Sequence, residues 1–160
     1  MIKQKAITIC FILISWAIAL RAVSQQPVFP VKISENGRYI TDQNNNPVFW
    51  LGTTQWQIFR DYTLDEAKTI IEKSKSNGFI FIQAMLMGVG DGTKANIYGE
   101  KPWLNNNPLT PNEAYFLHVD SVIQAARENN VILSITLYHQ RYRDFITMEN
   151  ARQWAKWLSS

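Results

Sequence analysis

Eight side chains in this sequence combine a type and a placement that could line a ligand site. Thr53, Thr54 and Trp56 follow a short apolar run in LGTTQW, and Gln83 interrupts a second run, FIFIQAML. Asn96, Tyr98 and Trp103 lie in the long stretch GVGDGTKANIYGEKPWLNNNPLT, residues 88–110, and His139 closes a third apolar run, VILSITLYH. Flat aromatic faces beside amide and hydroxyl groups match the apolar faces and hydroxyl rims of saccharides. Each residue also has a plainer role open to it. Trp56 is either a sugar platform or core. Gln83, costly to bury without partners, is either an interior hydrogen-bonding group near a site or a satisfied structural amide. His139 either binds a hydroxyl or orients an acid, or it caps the following loop. His118, inside a helical pattern, reads as structural.

Cleaving a glycosidic bond needs two carboxyl groups about 5–5.5 Å apart for retention, or about 6.5–9.5 Å apart for inversion. The apolar runs end in LGTTQW, QAML and LYHQ, none with an acid. Asp91 and Glu100, in the long stretch, are the nearest carboxylates and read as solvated loop groups. No catalytic residue is therefore expected within this chain. Two histidines so placed, with no acid at the run ends, predict no metal site, and nothing calls for a cofactor. GVGDG has closely spaced glycines but runs into a loop instead of a helix, so it is no nucleotide fingerprint.

The elements that must position these residues alternate regularly. Residues 30–46 carry turn signals at Asn36-Gly37 and Asn44–Asn46 and predict a small hairpin. PVFWLGTT (47–54), FIFIQAML (79–86) and VILSITLYH (131–139) predict strands buried on both faces. Thr63 and Glu66 predict a capping box opening a helix lined by Leu64, Ala67, Ile70, Ile71 and Ser74, with Gly78 closing it. Thr110 and Glu113 repeat that box, with Pro111 in the first turn, ahead of a stripe of Phe116, Val119, Val122, Ile123 and Ala126 that ends at Asn130. Thr147 predicts a third helix, with Met148, Ala151, Trp154 and Leu158 on one side. Alternating buried strands and amphipathic helices define an α/β fold with a parallel sheet, either a closed (β/α)8 barrel or an open doubly wound sheet. Strand starts near 48, 79 and 131 place about 20 extra residues in the segment after the second strand, on the face where such folds bind ligands. That segment is either a site-forming loop or a packed loop whose aromatics extend the core.

MIKQK followed by the apolar run AITICFILISWAIAL and RAVSQQ predicts a signal peptide over residues 1–24, the run being shorter than the roughly 20 residues of a spanning helix. An uncleaved anchor is the alternative. Removing it takes away Lys3, Lys5, Arg21 and Cys10, leaving 13 basic against 13 acidic side chains and no cysteine. The mature chain then has no basic patch for nucleic acid, no stable membrane span, and no thiol chemistry. An exported location follows. Residues 25–46 are expected to form the hairpin segment and 47–160 an incomplete portion of a larger domain, since three β-α units cannot close a barrel of about 250 residues and would expose raw sheet edges. Neither the oligomeric state nor the sugar is legible.

GRYITDQNNNPVFWLGTTQW, GFIFIQAML, NIYGEKPW and PNEAYFLHVDSVIQAA together resemble the N-terminal half of the apiosidase-like glycoside hydrolases. That resemblance implies a (β/α)8 TIM barrel and an exported enzyme of pectic polysaccharide breakdown. It also implies two catalytic acids on strands beyond residue 160. The alternative is a non-catalytic glycan-binding protein on the same scaffold. Where the family has Gly-Asp-Thr-x-Trp, this chain has Gly52-Thr53-Thr54-Gln55-Trp56, and Tyr138-His139 stands where the family often has Trp-Gly.

Overall fold

The computed structural model describes residues 27–159; the leader segment 1–24 and Cys10 lie outside them. The chain divides into two compact units at Val48/Phe49.

In the first unit, β1 (Lys32–Ile33) pairs antiparallel with β2 (Ile40–Thr41), Lys32 opposite Thr41. Gly37, at φ 69°, supplies the left-handed residue of the turn. Asp42 organises the next turn. Its Oδ1 accepts from the backbone N–H of Asn44 at 2.9 Å and of Asn46 at 2.8 Å, and its Oδ2 from Asn46 Nδ2 at 3.1 Å and Val28 N at 3.3 Å. Burial pushes this carboxyl up, but the hydrogen bonds outweigh it and hold Asp42 below the ordinary carboxylate range.

In the second unit, β3 (Gly52–Thr54), β4 (Phe81–Met85) and β5 (Ile132–Thr136) form a parallel sheet in sequential order. Gly52, Thr53 and Thr54 pair with Phe81, Ile82 and Gln83, and Phe81 through Met85 pair with Ile132 through Thr136. The strand expected over 47–54 is thus only three residues long. Leu51 N donates to the Phe49 carbonyl at 2.8 Å in a tight turn, leaving Phe49 80% exposed. Gly52 is required where it stands, because a Cβ there would collide with the Phe81 ring, which Trp50 also stacks on at 5.0 Å.

α1 (Leu64–Ser76) opens with the expected capping box. Thr63 N donates to Glu66 Oε2 at 2.8 Å and Glu66 N to Thr63 Oγ1 at 3.3 Å. It ends at Asn77, followed by Gly78 at φ 81°. α2 (Glu113–Glu128) departs from expectation, because Asn112 caps it, its Oδ1 accepting from Ala114 N at 3.2 Å. The Thr110 hydroxyl is spent elsewhere, donating to the carbonyls of Leu104 and Asn107. The buried stripe also includes Tyr115, whereas Ile123 stays exposed. α3 (Ala151–Leu158) starts later than Thr147, whose N–H is tied to Asn150 Oδ1 at 2.9 Å, and Met148 is 96% exposed.

Ala67 and Ile71 of α1 and Val119, Val122, Ala125 and Ala126 of α2 pack on Ile82 and Ala84 of β4, with Leu133 and Ile135 of β5 beside them. Side chains alternate across a strand, so Thr54, Gln83 and Ser134, paired in one row, face the opposite way, and both Thr54 and Ser134 are exposed. The expectation of strands buried on both faces is corrected accordingly: the helix side is covered, whereas on the other side Thr54 and Ser134 are exposed, Gln83 is half-buried, and only Met85 of β4 is buried.

Candidate functional site

Parallel sheets bind ligands where their strands end. Here those ends are Thr54, Met85 and Thr136. Of the residues singled out in the sequence, the register unites Thr54 and Gln83 in the open-face row with Ser134. Gln55 N donates to the Gln83 carbonyl at 2.8 Å, fixing the chain that leads to Trp56, which is 38% exposed. Thr53 points to the other face, level with Ile82.

The segment after β4 is held by side chains distant in sequence. Tyr115 Oη donates to the Leu86 carbonyl at 2.9 Å, Tyr142 Oη to the Gly88 carbonyl at 2.6 Å, and Arg60 Nη1 to the Val89 carbonyl at 2.7 Å. Val89 N in turn donates to Gln57 Oε1 at 3.1 Å. Arg60 is itself buried and paired to Asp61 at 2.8 Å. Burial pushes the Tyr142 hydroxyl up to about 12 and that of Tyr115 well above its ordinary range, so both remain protonated donors. Gly88, at φ 68°, sits in the left-handed region where a Cβ would also meet the tips of the Gln57 and Arg60 side chains, and Gly92, at φ 83°, lies against Trp103. None of these four anchoring side chains was singled out in the sequence. Tyr115 and Tyr142 look there like ordinary apolar positions, and only the glycines hint at a crowded backbone.

The same segment distributes its expected site residues away from the open face. Trp103 is 1% exposed and packs with Phe145 and Trp154 at ring separations of 6.0 and 5.6 Å. Asn96 is buried, its Oδ1 accepting from the N–H of Tyr98 and of Glu100, both at 3.0 Å. Tyr98 is half-exposed, yet its ring meets His118 edge-on at 5.0 Å and its Oη accepts from Leu64 N at 3.1 Å, at the start of α1. Glu100 accepts from Asn112 Nδ2 at 2.9 Å, tying the segment to the α2 cap. Asp91 accepts from Thr93 Oγ1 at 2.6 Å and Thr93 N at 2.9 Å, and these bonds hold it below the ordinary carboxylate range. His139 lies three residues past β5 and caps the 3-10 turn Gln140–Tyr142, its Nδ1 accepting from Arg141 N at 3.3 Å. His118 is buried with Nε2 unpartnered, and burial lowers its pKa despite a backbone hydrogen bond at Tyr62. Among the described residues no helix is long and apolar enough to cross a membrane.

A parallel sheet with its crossover helices gathered on one side, and loops concentrated where the strands end, is part of a layered α/β architecture. Solved glycoside hydrolases share it. One, described as a glycoside hydrolase, superposes with a TM-score of 0.69 at 24% identity over 80% of this chain and 30% of its own. Another, a family 5 glycoside hydrolase from Bacteroides vulgatus, gives 0.72 at 21% identity over 84% and 31%. The chain thus spans about a third of the length of either structure. The model of the apiosidase-like catalytic domain matches residues 34–160, and the chain belongs to that family. No curated protein matches it.

Proposed function

We propose that this chain forms the N-terminal part of a (β/α)8 glycoside hydrolase domain. Residues 47–160 would supply three β-α units of it, behind a hairpin segment at 25–46 and an export leader at 1–24. The observation that carries the reading is the polar row of Thr54, Gln83 and Ser134, set opposite the face on which the helices pack. A polar inner wall of this kind suits a barrel interior that leads up to a saccharide site. Thr54, Gln83 and Trp56 then line the substrate side. Asn96 and Trp103 support the loop from within, Tyr98 pins it to α1, and His139 shapes the mouth of β5.

The substrate class is plant cell-wall polysaccharide of the pectic type, outside the cell, as family membership and the leader suggest. Hydrolysis by two carboxylates would draw its acids from outside the present strand ends, which are Thr54, Met85 and Thr136. The full-length protein is expected to release monosaccharide from a panel of pectic glycans, read by chromatography of the products. Failure to release sugar from any member of the panel would remove the enzymatic reading.

A second reading, a glycan-binding protein without catalysis, is favoured by Thr53, which stands where the family pattern has Asp. Calorimetric binding of oligosaccharide without turnover selects it.

A further inference from the structure

The loops that follow β4 and β5 meet at a cleft of about 480 Å3 lined by Asp91, Gln140, Arg141, Arg143 and Asp144. We propose that this cleft is a subsite for a neutral sugar residue, its vicinal hydroxyls held between the Asp91 carboxylate and the Arg141 guanidinium. This deepens the hydrolase reading above and rests on it.

The walls of the cleft are fixed from below. Tyr142, fully buried, joins the two loops by its 2.6 Å hydrogen bond to the Gly88 carbonyl. On one wall, Asp91 Oδ1 is oriented by the bonds it accepts from Thr93 N and Thr93 Oγ1. On the other, the backbone of Arg141 is held by its N–H bond to His139 Nδ1, and its guanidinium makes no ion pair among the described residues. Arg143 Nε and Asp144 Oδ1 lie 3.8 Å apart, and both side chains stay solvated at the rim.

The chemistry of the lining selects the ligand. Within the lining two guanidinium and two carboxylate groups balance, so the lining itself carries no net charge to attract an ion, and the one further cation whose charge reaches Asp91 among the described residues is Lys94, outside the lining. What it does offer is planar forks of donors beside planar forks of acceptors, with the Gln140 amide supplying both. A sugar hydroxyl is donor and acceptor at once, and two adjacent hydroxyls satisfy such a mixed lining without the desolvation of an unpaired ion. Tyr138, 49% exposed, stands edge-on to Tyr142 at 6.2 Å and presents an aromatic face near the same loop for the apolar side of a ring.

The test is calorimetry of the full-length protein with xylotriose, arabinotriose and galactotriose as neutral probes and trigalacturonate as the acidic one. At least one neutral trisaccharide is expected to bind, with Asp91→Asn and Arg141→Ala each weakening it about tenfold. Melting temperature should not move, since both side chains are exposed. Affinity should change less than about twofold between roughly 0.05 and 0.5 M NaCl, because no net charge is being screened. The subsite is overturned if no neutral probe binds, if neither variant weakens binding, or if trigalacturonate binds more tightly with a steep loss in salt. Hydrolysis of aryl glycosides, measured alongside, separates the two readings. Turnover with variant-insensitive binding removes the subsite alone. Variant-sensitive binding without turnover keeps the subsite and removes the hydrolase.

Discussion

Gly88 shows how much of the candidate site depends on single backbone positions. Its φ of 68° and the crowding by Gln57 and Arg60 mean that Gly88→Ala adds a strained conformation to a collision. The expected cost is about 1–3 kcal/mol, read as a lowered denaturant midpoint; an unchanged midpoint would show that the loop is free to relax. Tyr142→Phe keeps the ring but leaves the Gly88 carbonyl without its 2.6 Å donor, which should cost about 1–3 kcal/mol. His118 adds a pH term. Burial lowers its folded pKa below the unfolded value of 6.5, so the unfolded chain binds the proton more readily. The stabilising term is therefore complete above pH 6.5 and is lost as pH falls through that value toward the folded pKa. Denaturant titrations of His118→Phe, which removes the titrating group, should show a shallower loss of stability over that acid window than the parent; parallel curves would contradict the assignment.

At the scale of elements, the cap of α1 gives the cleanest test. Thr63→Ala removes the hydroxyl that accepts from Glu66 N and should cost about 0.5–2 kcal/mol, with Thr63→Ser recovering most of it. That cap was legible in the sequence because T-x-x-E is a local signal. The α2 cap was not, although the same pattern recurs at Thr110 and Glu113. There the hydroxyl of Thr110 closes the turn around Leu104–Asn107, and Asn112 takes over the cap. The choice depends on contacts with residues up to 12 positions away, which no local pattern encodes. The succession of strands and helices along the chain was legible from the alternation of apolar runs, but the sequential order of the strands in the sheet was not, because an open doubly wound sheet fits the same alternation. Strand length was not, because Phe49 and Trp50 look like strand residues by composition and are released by a single turn at Phe49–Leu51. Among the site residues, the pairing of Thr54 with Gln83 follows from register alone, whereas the burial of Trp103 depends on α3, far along the chain.

At the scale of the whole molecule, the second unit is a wall with one finished side. Its helix-covered face closes a core from Ile58 to Trp154, while Thr54 and Ser134 of the opposite row are exposed, Gln83 between them is half-buried, and the outer edges of β3 and β5 are unpaired among the described residues. Unpaired strand edges template association with other chains, and a one-sided sheet exchanges core burial for exposed backbone. Residues 27–160 prepared alone should therefore associate at micromolar concentration in sedimentation velocity and melt over a broad range. The full-length protein should sediment as a defined species and melt cooperatively. The polar row sharpens the expectation. Gln83→Leu extends the apolar surface on the open face, so it should increase association of residues 27–160 when they are prepared alone. Under the function proposed above, in which Gln83 lines the saccharide side, Gln83→Leu should instead lower saccharide affinity in the full-length protein, by about tenfold if one hydrogen bond of about 1.5 kcal/mol is lost. A substitution that leaves affinity intact while changing association would place Gln83 in the wall alone, and the ligand would then have to be held by the loops at the strand ends.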